Sequence, residues 1–317
     1  MNRSRLVRLC SSTVLAALFL LAPRCADAII IELTGTTDQL LYDQLGGLEG
    51  PAMDPVGNLY VLDTNTGIRE VTQLGAMSPW SSTKGYQLTF APDGTGYALE
   101  SACNCIEQFT SSGQSSVLRP DTLAWGNFAV LPDGSLWANV WLGTGQGIYR
   151  IDRTTGEPTV VVAGGPGPGG SGIYYGMTPG TDGRLYVNAN LDGTLAGSRI
   201  FRLDGSTLTP MAAPPNGGRA YAPGPPGWLL VISGVPGSLY TASELWLYDP
   251  VAGTSKQVAR TDIYFHEYDV SFRGVAYDPS QQTAYVTENH RLWALHLDLS
   301  TPALARSWGA VKAQYRK

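Results

Sequence analysis

One short phrase returns along the chain, and its spacing restricts the fold more than any other feature. It reads Asp54-Pro55-Val56-Gly57-Asn58-Leu59-Tyr60-Val61, then Ala91-Pro92-Asp93-Gly94-Thr95-Gly96-Tyr97-Ala98. It returns as Leu131-Pro132-Asp133-Gly134-Ser135-Leu136-Trp137-Ala138 and as Thr181-Asp182-Gly183-Arg184-Leu185-Tyr186-Val187. Pro225-Pro226-Gly227-Trp228-Leu229-Leu230-Val231 is a degenerate copy, and Asp278-Pro279 leads to a last one at Ala284-Tyr285-Val286. Pro presets φ and Gly accepts positive φ, so the polar half of the phrase is a tight turn. The apolar and aromatic residues after it open a strand. Each copy therefore reads as a β-hairpin.

A third β-prone stretch follows each copy: residues 67–71, 105–109, 147–152, 198–204, 244–249 and 291–298. Most of these run into a second turn, such as Thr154-Thr155-Gly156 or Val251-Ala252-Gly253, and then a short fourth stretch such as residues 159–162. Four antiparallel strands per unit, at spacings of roughly 37 to 55 residues, is the pattern of a propeller blade. The expected fold is all-β: one six-bladed β-propeller with four-stranded antiparallel blades. A β-sandwich would show strands at regular spacing but not one turn phrase recurring at blade intervals. Residues 29–33, an apolar run ahead of the first unit, are expected to close the ring as an outer strand of the last blade. The Gly/Pro stretches at 164–172 and 214–218 fall between units and read as loops. With 38 Gly, 21 Pro and only 15% charged residues, the chain lacks the composition of a coiled coil or helical bundle. Its 43% hydrophobic content is enough to build a core.

Residues 1–28 read as an export signal. Arg3, Arg5 and Arg8 form a basic start, residues 14–22 an apolar run, and Ala26-Asp27-Ala28 a small-residue cleavage site. The apolar run is far short of the ~20 residues that span a bilayer. Arg24 before Cys25 argues against a lipid anchor there. The expected product is a single propeller domain, residues 29–317, in the periplasm or outside the cell, with no membrane span. Residues 1–28 hold four Arg and one Asp, so their removal takes the formal charge from −5 to −8. An acidic chain without a basic patch is a poor candidate for nucleic acid or anionic lipid. Of the cysteines only Cys103 and Cys105 then remain. They read either as a redox or soft-metal pair, or more plainly as a small disulfide or two idle thiols in a turn.

The unit Leu59-Tyr60-Val61-Leu62-Asp63-Thr64-Asn65-Thr66-Gly67-Ile68-Arg69 resembles the NHL repeat, whose units read like LYVADTGNNRI. The segment Glu49-Gly50-Pro51-Ala52-Met53-Asp54-Pro55, continuing to Tyr60 and Asp63, resembles the opening of gluconolactonase/regucalcin-type propellers. That resemblance implies a divalent cation such as calcium at the channel mouth, with Glu49 matching the family's glutamate ligand. Counting back from each turn, the corresponding positions on the other blades are Tyr86, Gly126, Tyr175, Arg219 and Arg273. Asn127, one residue off that register, is the nearest amide.

The first residues of the innermost strands ring a propeller's axis. The expected ring is Glu49, Tyr86, Asn127, Tyr175, Arg219 and Arg273, joined on the same face by Asp63, Glu100 and Glu288 in hairpin loops. His266, Glu267 and Asp269 precede the sixth blade, and His290 begins its third strand. Two arginines suit a carboxylate or phosphate, and the tyrosines a sugar or flat ring. The plainer reading is that Glu49 neutralises an arginine across the shaft and water fills the rest. An Asp at the place of Asp63 commonly caps a turn. His266 and His290, each beside carboxylates, could form an acid/base or metal pair, whereas His296 alternates away from the mouth. There is no Gly-x-Ser-x-Gly elbow, phosphate loop or His-Glu-x-x-His. The expected function is binding of a small polar or anionic molecule, or of a protein at the loop face. The alternative is a gluconolactonase-like metal-dependent hydrolase, or a lyase, on the same scaffold. A purely structural module is a third reading.

Overall fold

Each full copy of the phrase closes the same turn. The residue before the Pro-Asp-Gly core exchanges backbone bonds across it: Ala91 N–H to Thr95 O and Gly94 N–H to Ala91 O in the second copy, Leu131 N–H to Ser135 O and Gly134 N–H to Leu131 O in the third. The Asp side chain accepts the N–H two residues on, Thr95 from Asp93 and Ser135 from Asp133, which is why Asp occupies that place. Gly94 and Gly134 take φ of +84° and +82°, a region closed to most side chains. In the sixth turn Gln282 carries the positive φ, at +51°.

The computed structural model describes residues 29–43, 47–72, 74–100, 102–120, 123, 125–141, 143–170, 172–191, 198–214, 218–234, 243–261, 272–288 and 290–299. The turns join strands into six antiparallel sheets, the six blades. Their innermost strands are Leu48–Met53, Gly85–Phe90, Trp125–Val130, Ile173–Pro179, Gly218–Pro223 and Phe272–Asp278. Each packs against the next around the ring, and the sixth against the first. Within blades 1 to 5 the first four strands pair in sequence order from the axis outward.

Closure differs from the expectation. The strand that completes blade 6 is Thr37–Asp43, with Thr37 opposite His296 and Asp43 opposite Arg291. The apolar run ahead of it instead adds a fifth strand to blade 5: Ile30 and Ile31 pair with Arg260 and Ala259. Burial explains the exchange. Ile29 and Leu33 sink into the seam between blades 5 and 6 with Leu245, Val258, Trp293 and Leu295. The mixed polar run at 37–43 suits an outermost strand, exposed at Thr37, Asp38, Gln39 and Leu40, with Leu41 and Tyr42 packed against blade 1. Apolar side chains of facing blades fill the other seams in the same way, including an aromatic cluster of Tyr60, Trp80, Phe90 and Phe109 between blades 1 and 2. The export signal expected at residues 1–28 lies outside the described residues.

Candidate functional site

All six innermost strands carry one extra residue at the same place. Gly85 faces Glu100 and Gln87 faces Leu99, so Tyr86 is left over. The same step leaves Gly126, Tyr175, Arg219 and Arg273 over in blades 3 to 6. In blade 1, Leu48 faces Asp63 and Pro51 faces Val61, so Glu49 and Gly50 share one place. Such a β-bulge bends the strand and re-aims a side chain. The register counted back from the turns therefore lands on a sixfold set of bulges at the start of the channel.

An axial cavity of about 430 Å³ runs between the inner strands, with residues of all six blades in its wall. Glu49, Tyr86, Asn127 and Arg273 are among them. Blade 4 contributes residues 176–179 and not Tyr175, whose backbone carbonyl accepts a 2.6 Å bond from Asn127 Nδ2. Tyr175 thus keeps its place on the bulge and anchors a neighbour through its main chain. Arg219 lies in the inner strand of blade 5 and its side chain is outside the described residues, as are His266, Glu267 and Asp269. His290 is exposed and stands off the cavity wall.

The three loop carboxylates serve their own loops. Asp63, buried, accepts the N–H groups of Asn65 and Thr66 and the Thr66 hydroxyl, with Arg69 Nε at 3.7 Å. Glu100 accepts the Cys103 N–H at 2.8 Å. Glu288 accepts Trp293 Nε1 at 3.1 Å beside Arg291. Each holds a turn or strand end by a hydrogen bond.

Glu49 and Arg273 lie on the adjoining inner strands of blades 1 and 6, and both line the cavity. Burial pushes the Glu49 carboxyl above its ordinary value, and the Arg273 charge beside it pulls the other way. Residues the sequence did not single out hold this mouth in shape. The buried Thr287 hydroxyl donates to the Glu49 carbonyl at 2.6 Å, from blade 6 to blade 1. Buried Asn139 accepts the Asn127 N–H at 2.7 Å and donates to Tyr174 O at 3.1 Å, from blade 3 to blade 4. Gln87 makes a two-point amide pair with Phe128, Nε2 to its carbonyl at 2.7 Å and Oε1 from its N–H at 2.9 Å. Asn139, Asn188 and Thr287 occupy the place opposite the bulge in blades 3, 4 and 6, where blades 1, 2 and 5 have Leu62, Leu99 and Ile232. A polar residue at a place that is apolar in the other blades is the signal that could have found them.

Aromatic surface lies on blades 2 and 3. Tyr86 is 59% exposed and Trp141 40%. A Cβ on Gly126, the bulge residue of blade 3, would stand 3.1 Å from the Trp141 Cβ, so Trp141 covers the spot that the glycine leaves bare. Gln146 fixes the Trp141 backbone by donating to its carbonyl at 3.0 Å and to Gly172 O at 2.7 Å.

The donor set does not match the divalent cation that the resemblance implies. A hard cation such as calcium takes six to eight oxygens. Among the described wall residues Glu49 is the one carboxylate, with a guanidinium beside it. The Gln87 amide is engaged at both ends by Phe128, and Asn127 spends its Nδ2 on Tyr175.

No family model and no curated protein matches the sequence. Solved structures do match. The chain is similar to a gluconolactonase from Xanthomonas campestris, with a TM-score of 0.66 and 15% identity over 86% of this chain and 96% of that one. It is similar to virginiamycin B lyase from Staphylococcus aureus, with a TM-score of 0.55 and 17% identity over 83% and 99%. A calcium form of a family AA12 carbohydrate-active enzyme from Trichoderma reesei gives 0.61 and 11% over 86% and 97%. At such identities the likeness is one of fold, and the fold is the six-bladed propeller.

Proposed function

We propose that this chain is an exported propeller that binds a small polar or anionic molecule at the mouth of its axial cavity. The observation that carries the reading is the placement of Arg273 and Glu49 on one wall with Tyr86 on the same cavity. The guanidinium offers a fork to a carboxylate or other oxyanion. The Glu49 carboxyl on the same wall offers oxygens that accept hydrogen bonds from the hydroxyls of such a molecule. Tyr86 presents a flat face to a ring. Export is supported by the basic, apolar and small-residue order of residues 1–28, and by the disulfide between Cys103 and Cys105, which suits an oxidising compartment. Among the described residues no helix is long and apolar enough to cross a membrane.

A second reading, a hydrolase or lyase, is favoured by one observation. A carboxyl held above its ordinary pKa in an open cavity is the usual form of a general acid or base. The solved structures of similar fold include a gluconolactonase and a lyase. In this reading Glu49 moves a proton to or from the reacting oxygen while Arg273 holds the substrate's anionic group. No step is routed through a metal, because the described donors do not make up its shell.

Calorimetric titration with gluconate and glucono-lactone, alongside a panel of neutral sugars and other carboxylates, separates the readings. Binding of an anionic member, weakened at least ~10-fold in Arg273→Ala, supports the first, since a hydrogen bond to a charged group contributes about 1.5–3 kcal/mol. Lactone turnover lost in Glu49→Gln supports the second. Binding by no member of the panel, or affinity indifferent to Arg273→Ala, rejects the proposed site.

A further inference from the structure

We propose that Glu100, Cys103 and Cys105 form a thiol-gated site for a thiophilic cation such as Zn²⁺ or Cd²⁺, closed while the disulfide is intact. Its ligand atoms, one carboxylate oxygen and two sulfurs, all lie within 4.8 Å of one another. In the closed state the two sulfurs are bonded to each other, with the Cα atoms 5.1 Å apart.

The loop is built so that opening the disulfide leaves the donors together. Glu100 ends the second strand of blade 2 and Cys105 begins the third, and the two are paired directly across the ladder. Cys103 is tied to Glu100 by its N–H, 2.8 Å from Oε2. Asn104 between the cysteines takes φ of +52° and anchors the loop from outside, donating Nδ2 to the Leu123 carbonyl at 2.6 Å. Cys105 is buried and Cys103 exposed, so a reductant reaches the pair through Cys103. Two electrons and two protons from a dithiol convert the disulfide to two thiols, and the dithiol leaves as its own disulfide. Binding a divalent cation then releases the two thiol protons. Two thiolates select soft or borderline cations over calcium and magnesium. Two sulfurs and one oxygen leave a tetrahedral ion one open position. Glu100 also pairs with Gly85, the residue before Tyr86, so that position lies on the mouth face of blade 2. The site is independent of the cavity reading, because none of its three residues is in the cavity wall.

The test uses the full chain with Cys10→Ser and Cys25→Ser, so that Cys103 and Cys105 are its only cysteines. Oxidised protein, and protein reduced with dithiothreitol and desalted without air, are titrated with Co²⁺. The readout is the thiolate-to-cobalt charge-transfer band, with free thiols counted and chain mass followed by size exclusion. The expected result is a band saturating at one Co²⁺ per monomer in the reduced protein and no band in the oxidised one. Glu100→Gln, which keeps an acceptor for the Cys103 N–H, lowers affinity at least ~10-fold, a loss that even outer-shell changes produce. Cys103→Ser abolishes the band. The proposal is overturned if the reduced protein, with two thiols counted, gives no band, or if the oxidised protein gives the same one. It is equally overturned by one cobalt per two chains, or by an affinity unchanged in Glu100→Gln.

Discussion

Gly274 approaches Gly50 so closely that a Cβ on Gly274 would stand 2.4 Å from the Gly50 Cα. This backbone contact between blades 6 and 1 sets the preceding residues, Arg273 and Glu49, side by side at the mouth. The contact is one-sided, because a Cβ on Gly50 would meet nothing within 4 Å. Gly274→Ala is expected to force the blades apart at a cost of about 1–3 kcal/mol, as overpacking does, while Gly50→Ala is nearly neutral. Urea unfolding of the two variants checks the asymmetry; equal midpoints would contradict it.

The raised pKa of Glu49 makes a prediction about pH. The native state holds this proton more tightly than the unfolded chain, whose glutamate titrates near 4.5. The stability this contributes is fully present below that ordinary value and is lost as pH rises through the higher native one. At neutral pH the buried charge is therefore a net cost, despite Arg273. Glu49→Gln is expected to raise Tm at pH 7 by about 1–3 °C, since 1 kcal/mol moves Tm by roughly 2–4 °C in domains near this size. The gain should vanish below pH ~4. A loss at pH 7 would mean that the attraction to Arg273 exceeds the burial penalty.

Gln87 holds blade 2 to blade 3 through the main chain of Phe128. Replacing it by Leu leaves a donor and an acceptor without their side-chain partner, which costs about 1–3 kcal/mol when such groups are buried. Amide exchange supplies a local readout. The Phe128 N–H is expected to exchange about tenfold faster or more in Gln87→Leu, in proportion to that loss. Unchanged exchange at Phe128 would assign the amide pair no structural weight.

Residues 29–43 close the ring from both sides of one seam. Deleting them removes the outer strand of blade 6 and the side chains of Ile29 and Leu33 from the core between blades 5 and 6. The third strand of blade 6, Arg291–His296, then becomes a bare edge, a template for aggregation. Far-ultraviolet circular dichroism of the deleted chain is expected to show no cooperative melt. A sharp transition at the parent midpoint would show that closure adds nothing.

Much of this architecture is local and so can be read from the chain. A Pro-Asp-Gly turn imposes its own geometry, pairing then propagates from it two residues at a time, and the bulge falls at a fixed count from each turn. That is why counting back from the phrase reached Glu49, Tyr86 and Arg273, which lie on the cavity wall. The same count could not tell Tyr86 from Tyr175. Both sit on equivalent bulges, but Asn127 of the neighbouring blade takes the Tyr175 carbonyl, and the wall there is formed by the residues after it.

What the amino-acid order determined by itself is the hairpin, its register and its repetition, because turn chemistry and period-two pairing act over a few residues. Which N-terminal run closes blade 6, and which charges become neighbours at the mouth, was decided by tertiary structure alone. Thr287 and Glu49 are 238 residues apart in sequence yet share one hydrogen bond. Contacts of that kind are chosen by which apolar surfaces the closed ring can bury, a property of the seams between blades and of no single segment.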